Sequence, residues 1–247
     1  MSVLAKPDHM EPRSTLPSTL TEFALTRLRK SSAYDLVMRL PMLTWSVVLA
    51  LELVMELGEY RRAADPTLPA AIYVLNIAMR LSTIAYLVTL AATVIVRTPP
   101  IEKARGAEPR VSALLGSFLI TAVVLFPRRN LSPAEACVST LLVSAGDSIA
   151  AVVLIQLRAS FSIMAEARQL TTSGIYRVVR HPLYLAEEVA TIGCVMQFLS
   201  VWTAMLVVVQ IACQIRRMRN EEIVLMEVFP EYSRYKGKTP RIIPGLY

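Results

Sequence analysis

Apolar residues in this chain fall into long blocks separated by short polar, mostly basic segments. The blocks lie at roughly 36–57, 69–96, 111–127, 134–157 and 183–215. A helix rises 1.5 Å per residue and needs about 20 apolar residues to cross a bilayer. The first four blocks therefore predict one transmembrane helix each. The last, about 33 residues, exceeds a single crossing. We read it as two helices folded back at Gln197–Ser200, a tight hairpin that returns both flanks to one side. The predicted fold class is all-α: a polytopic transmembrane helix bundle of five or six spans, the last two forming a hairpin.

The flanks divide the chain further. Residues 1–33 read as a polar tail with Pro7, Pro12 and Pro17 and no apolar signal-peptide core. Within it, 19–33 reads equally as a short helix lying on the membrane, with Leu20, Phe23, Ala24 and Leu28 on one side, or as a solvated linker. Residues 34–157 hold helices one to four. Residues 158–247 hold the hairpin 183–215 and most of the motif-bearing polar chain.

Composition supports a bilayer. Hydrophobic residues make up 54% of the chain and charged residues 18%, against about 25% charged in soluble domains. The net charge of +7 is unevenly placed. With a cytosolic N-terminus, inside segments hold 21 Lys and Arg and outside segments only Arg61, Arg62, Arg128 and Arg129. That asymmetry predicts an integral, multi-pass protein with its N-terminus, 158–181 and 216–247 all cytosolic. Charges that flank apolar spans are a poor footprint for nucleic acid, and no such partner is expected. Two histidines, His9 and His181, and three cysteines without CxxC spacing predict no His-rich metal centre, zinc site or disulfide framework.

Some spans carry charge, at about 2.5–3.5 kcal/mol per residue for insertion. Glu52, Glu56, Arg80 and Asp147 are the instances, with Asn76 one turn from Arg80. We expect Arg80 to pair with Asp147 or Glu52 and lock the bundle, in preference to meeting an anionic lipid substrate. Gln197 and Gln210 are expected to hydrogen-bond between helices.

Chemistry concentrates after residue 173. In Gly174-Ile175-Tyr176-Arg177-Val178-Val179-Arg180-His181-Pro182-Leu183-Tyr184-Leu185, Gly174 permits a turn and Pro182 suits the first turn of a helix. His181, before the proline, is biased away from helical dihedrals. A helix start beside Arg177, Arg180 and His181 favours anions. Tyr184 and Glu188, four apart, share a face. Where the last block ends, Arg216-Arg217-Met218-Arg219-Asn220-Glu221-Glu222 offers Arg217–Glu221 and Arg219–Glu222 pairs. Taken alone these would be surface ion pairs on a solvated helix. FPEYSRY (229–235) and TPRIIP (239–244) follow.

GIYRVVRHPLYL, the Glu221-Glu222 pair, FPEYSRY and TPRIIP, in that order, resemble the isoprenylcysteine carboxyl methyltransferases and their phospholipid N-methyltransferase relatives. The resemblance covers roughly 170–244. It departs at Leu185-Ala186-Glu187, where relatives often carry a glycine after the tyrosine. It implies a small cytosolic C-terminal pocket for S-adenosyl-L-methionine built without a Rossmann fold, in keeping with the absence of a GxGxxG element. It places His181, Tyr184, Glu221 and Glu222 at the cofactor. It also places an arginine and a glutamate at the methyl-transfer site, here Arg217 and Glu222, with Arg216 and Arg219 as competitors.

Residue chemistry agrees. Arg180, His181 and the helix start suit the cofactor's carboxylate. Glu188, Glu221 or Glu222 suit its ammonium and ribose hydroxyls. The face of Tyr184 or Tyr232 suits its sulfonium. An amine or thiol acceptor needs a base, Glu222 or Glu188; a carboxylate acceptor needs Arg217. The expected activity is S-adenosylmethionine-dependent methylation of a lipophilic acceptor that enters sideways from the membrane lipids, isoprenylcysteine carboxyl O-methyltransferase-like. A phospholipid N-methyltransferase or a small-thiol S-methyltransferase is the alternative within that class. An NADPH-dependent sterol or lipid reductase and a non-enzymatic transporter using Arg80, Asp147 and Glu52 are the rivals outside it.

Overall fold

A computed structural model describes residues 32–63 and 69–243, with side chains from Arg39 onward. The surface helix or linker over 19–33 lies almost wholly outside the described residues. The chain divides after Met38, and the geometry below is that of the unit Arg39–Tyr247.

Each apolar block becomes helical. Helix α1 is Ser32–Arg62, α2 Ala70–Val96, α3 Glu108–Phe118 and α4 Pro133–Leu157; a 3-10 stretch, Leu119–Leu125, prolongs α3. The last block breaks where expected, into α5 (Pro182–Met196) and α6 (Val201–Val228), and a short α7 (Tyr232–Lys238) follows. Two dipeptide strands, β1 (Glu102–Lys103) and β2 (Glu166–Ala167), pair antiparallel; they are too short for any periodicity to announce them.

Five segments are long and apolar enough to cross a membrane: Arg39–Arg62, Ala70–Val96, Glu108–Leu125, Pro133–Ser160 and Val201–Val228. They make this an integral membrane protein. Helix α5 has 15 residues, about 22 Å, and falls short of the roughly 30 Å hydrocarbon layer. Helix α6 has 28, about 42 Å, and overshoots it. The hairpin therefore pairs a short arm with a long one, and the excess of α6, from Arg216 onward, is where the polar sequence begins.

Local chemistry sets the turns. Ser132 caps α4: its hydroxyl accepts from the Glu135 N–H, and the Glu135 carboxylate accepts from the Ser132 N–H. Ser200 and Thr203 form the same reciprocal pair at the start of α6. Glycines let α4 and α5 touch. A Cβ on Gly146 would sit 2.5 Å from the Ala190 nitrogen and 2.6 Å from the Ala186 oxygen, and one on Gly193 2.7 Å from the Ser139 oxygen. Small-residue contact of this kind drives helix association where lipid competes for every apolar surface. Leu90, Val94, Val153, Leu154 and Leu183 fill the core beside it.

The expected gathering of basic segments at one end is present. The Arg39 guanidinium donates to the Ile95 and Arg97 carbonyls, satisfying the C-terminus of α2. The Thr98 N–H donates to Ala159, β1 pairs with β2, and the Arg180 and His181 N–H groups donate to Pro240 and Arg241. Segments 97–107, 158–181 and 239–241 thus share one end of the bundle.

One expectation fails. Arg80 pairs with neither Asp147 nor Glu52. Helical side chains lean toward the N-terminus of their helix, and Arg80 leans back to donate to the Asn76 carbonyl, its guanidinium 4.4 Å from the Tyr60 ring centroid. Asp147 accepts instead from the Thr83 hydroxyl, one turn further along α2. Glu52 and Glu56 are exposed. The glutamines do bridge helices: Gln197 donates to Ser139, and Gln210 to the Gly116 carbonyl and Glu188.

Candidate active site

The site grows from the entry to α5. Gly174 has φ +59° in a 3-10 turn, a conformation that favours glycine, and Gln156 clamps both of its neighbours. His181 adopts φ −127° and ψ 60° before Pro182 opens the helix, as the pre-proline restriction requires. The returning chain at Pro240–Arg241 pairs with the backbone of Arg180–His181. Two stretches far apart in sequence are thereby joined.

Glu222 is their electrostatic centre. It is 1% exposed, and its carboxylate meets Arg180 at 3.0 Å, His181 Nε2 at 3.1 Å, Arg241 through two nitrogens at 2.9 Å each, and Lys236 at 3.7 Å. The surface pairing expected of Arg219 and Glu222 is replaced by this buried cluster; Arg219 itself is exposed. Of the groups this carboxylate holds, Arg180 and His181 also line an adjoining cavity.

That cavity, about 700 Å³ with its open mouth counted in, lies between the entry to α5, α6 and the loop after α4. Of the residues expected at the cofactor or the reaction, Arg180, His181, Tyr184, Arg217, Glu221 and Tyr232 line it. Glu222 and Glu188 do not. Glu222 stands behind Arg180 and His181, and Glu188 accepts from Gln210 between α5 and α6. At the floor, the Tyr184 hydroxyl donates to Glu221 at 2.8 Å, and the Arg217 guanidinium lies 4.7 Å from the Tyr184 ring centroid. Arg217 is 3% exposed and donates to the Ile163 carbonyl at 2.9 Å. One face of Tyr184 is therefore already held by a cation.

The remaining wall was not singled out from sequence. Ser162, Glu166, Arg168 and Gln169 line the cavity from the loop after α4, and Tyr176 and Tyr235 close it. The Glu166 carboxylate accepts from the Ser162 hydroxyl at 2.8 Å and from Arg168 at 2.7 Å. A signal existed: Glu166, Arg168 and Gln169 break the apolar pattern between a span and the motif. The Tyr235 hydroxyl donates to the Tyr176 carbonyl. Burial pushes the Tyr235 phenol up to about 12, against the pull of the Arg180 guanidinium. Tyr232 is raised by burial and by Glu222, and Tyr176 by burial and by Glu221. All three rings are neutral at physiological pH and serve as walls and donors, not as anions.

The three candidate arginines now separate. Arg216 is exposed and pairs with Glu108 at 2.7 Å, while Arg219 is exposed outside the cavity. Arg217→Ala is expected to lower ligand affinity at this cavity at least tenfold. Arg216→Ala is expected to change it less than twofold, because exposed pairs contribute about 0–1 kcal/mol. Calorimetric titration of both variants with one ligand checks the contrast.

Comparison with known proteins bears on this end of the chain. The family model for phospholipid methyltransferases matches residues 138–232. The nickel-cobalt-cadmium resistance protein NccN of Alcaligenes xylosoxydans xylosoxydans is 30% identical over 82 residues, 33% of this chain and 38% of the relative. The cobalt-zinc-cadmium resistance protein CzcN of Cupriavidus metallidurans is 34% identical over 79 residues, 31% of this chain and 36% of that protein. The chain thus matches little more than a third of the length of these curated relatives. The family match begins in α4 and ends at Tyr232, so it takes in the helix start at His181, the hairpin and the Glu221-Glu222 pair. Residues 138–232 thus match the phospholipid methyltransferase family, within the wider group of membrane methyltransferases that also holds the isoprenylcysteine carboxyl methyltransferases.

Proposed function

We propose that the protein transfers a methyl group from S-adenosyl-L-methionine to a lipophilic acceptor. The observation that carries this is one cavity lined by Arg180 and His181 on one side and by Glu221 on another, within the family-matched region. The donor set fits a zwitterionic nucleoside. Arg180 and His181 suit a carboxylate. Glu221 and Glu166 suit an ammonium group and ribose hydroxyls. Phe161, Leu183 and Leu225 offer apolar walls for a base. Bound there, the cofactor supplies an electrophilic methyl group on a sulfonium that leaves as a neutral thioether.

The chain's own work is alignment and exclusion of water. Glu222 holds Arg180, His181 and Arg241 in place, and so acts by positioning the groups that touch the ligand. Arg217, fixed by Ile163 and stacked on Tyr184, sets the floor across which donor and acceptor meet. The positive-inside asymmetry favours a cytosolic cavity, with the acceptor reaching the floor from the bilayer.

Two acceptor classes are favoured by separate observations. Behind the floor stand Glu187, Glu188 and Asp147, whose partners are the neutral Tyr86, Gln210, Gln214 and Thr83. That acidic interior favours a cationic amine, as in phospholipid N-methylation. Arg217 at the floor favours a carboxylate, as in an isoprenylcysteine. We take the amine as the leading reading, because the acidic side chains outnumber Arg217 there.

Calorimetry of the purified protein in detergent tests the assignment, with S-adenosylhomocysteine and a reduced nicotinamide cofactor as ligands. We expect the first to bind and the second not, and His181→Ala to weaken the first at least tenfold. Binding of the nicotinamide alone would make the protein a reductase, and binding of neither would leave a transporter or scaffold.

A further inference from the structure

We propose that Glu187, with Glu188 and Gln210 beside it, forms the subsite for the ammonium group of the acceptor, and that Glu187 takes the acceptor's proton. This rests on the methyltransferase reading and assigns the base that an amine requires.

Glu222 is poorly suited to that task. Three permanent cations and His181 surround its carboxylate, and a proton arriving there would displace one of them. Glu221 is engaged by the Tyr184 hydroxyl at 2.8 Å and faces the cavity. Glu187 sits on α5 one turn beyond Tyr184, behind the floor. The Tyr86 hydroxyl donates to its Oε1 at 3.2 Å, and Gln214 lies 3.5 Å from its Oε2. Gln214 in turn accepts from Arg217 at 3.4 Å, so Glu187 connects to the floor through one side chain. The charged and titratable groups around it are Arg217 on α6, Glu188 and Tyr184 on α5, Asp147 on α4, Tyr86 on α2 and Tyr176 before α5. Among the described residues no Lys or Arg is ion-paired with Glu187, Glu188 or Asp147. Glu187 and Glu188 are half-buried and Asp147 is buried, and Arg217, the cation beside Glu187, makes no direct ion pair with it; a cationic ligand would relieve the cost of holding three carboxylates together there.

An independent feature points the same way. Gln210 is 2% exposed, and its Nε2 donates to Glu188 and to Gly116. Its Oε1 is buried and has no donor. Buried acceptors are rarely left so, and an N–H-bearing head group beside Glu188 would supply the missing donor.

The step balances. An ammonium N–H bond breaks, its electron pair stays on nitrogen, and the proton passes to the Glu187 carboxylate. The freed pair forms the N–CH3 bond while the S–CH3 bond breaks and its pair returns to sulfur. The products are a methylated ammonium and a neutral thioether.

The test uses the full chain in detergent micelles without cofactor and two probes, a twelve-carbon primary amine and its neutral N-acetyl form. Wild type is expected to bind the amine at least tenfold tighter than the amide. Glu187→Gln should abolish that preference and leave S-adenosylhomocysteine affinity within twofold. Glu187→Asp, which keeps the charge, should retain it and guards against a folding defect in the glutamine variant. In turnover with S-adenosyl-L-methionine and the amine, Glu187→Gln should lower kcat about a hundredfold or more at neutral pH and recover as rising pH deprotonates the free amine. An unchanged amine preference in Glu187→Gln, or its loss in a folded Glu187→Asp, overturns the proposal. Failure of wild type to bind S-adenosylhomocysteine overturns the methyltransferase reading instead.

Discussion

Glu222→Ala should destabilise the protein, and not only silence it. The substitution removes the carboxylate that Arg180, His181, Arg241 and Lys236 share. With the Glu222 side chain 2% exposed, solvent screens little of that attraction. Removing one partner of a buried charge cluster costs about 3–5 kcal/mol. A thermal scan in detergent should show a clearly lower midpoint, accompanied by loss of cofactor affinity, because the backbone pairing at 180–181 and 240–241 rests on the same cluster. Lys236→Ala provides the contrast. That side chain is 37% exposed and 3.7 Å away, so its loss should cost under about 1 kcal/mol. Equal midpoints for Glu222→Ala and wild type would mean that the cluster is not what joins the two stretches.

Gly146→Ala is expected to damage site and fold together from a position that touches no ligand. The new methyl group would meet backbone atoms of α5, the Ala190 nitrogen and the Ala186 oxygen, and neither can swing aside as a side chain tip would. Helix α5 must move away from α4. Overpacking of this kind costs about 1–3 kcal/mol. Because α5 begins at Pro182, a shift along it carries His181 and Tyr184 with it. The expected result is a lowered thermal midpoint and a weakened S-adenosylhomocysteine titration in the same variant. Gly58→Ala, near the end of α1 and with nothing within 4 Å of its added carbon, should leave the midpoint unchanged or raise it, since alanine is the better helix former by up to about 1 kcal/mol. Matching behaviour of the two variants would remove close α4–α5 contact as the cause.

Much of this architecture is legible without coordinates, and the reason differs from element to element. Long apolar blocks report helices because lipid offers backbone groups no other partner. The break at Gln197–Ser200 was visible because a block of about 33 residues exceeds one crossing, and Ser200 is a good helix cap. His181-Pro182 announced the start of α5 through steric limits local to two residues. The clustering of basic segments at one end followed from counting Lys and Arg between blocks.

Partner choice was not legible in the same way. Arg217 and Glu222 each have ion-pair partners at helical spacing on their own helix, Glu221 and Arg219, yet both take partners from elsewhere: Ile163 and Tyr184 for the first, Arg180, His181 and Arg241 for the second. Arg80 likewise met Tyr60 in place of Asp147. Sequence alone determined that these groups are polar, costly to bury and close to the helix ends. Only the tertiary structure decided which of them meet. A carboxylate's field reaches every cation that folding brings within a few ångströms, whatever their separation along the chain, and that set is fixed by how α4, α5 and α6 pack.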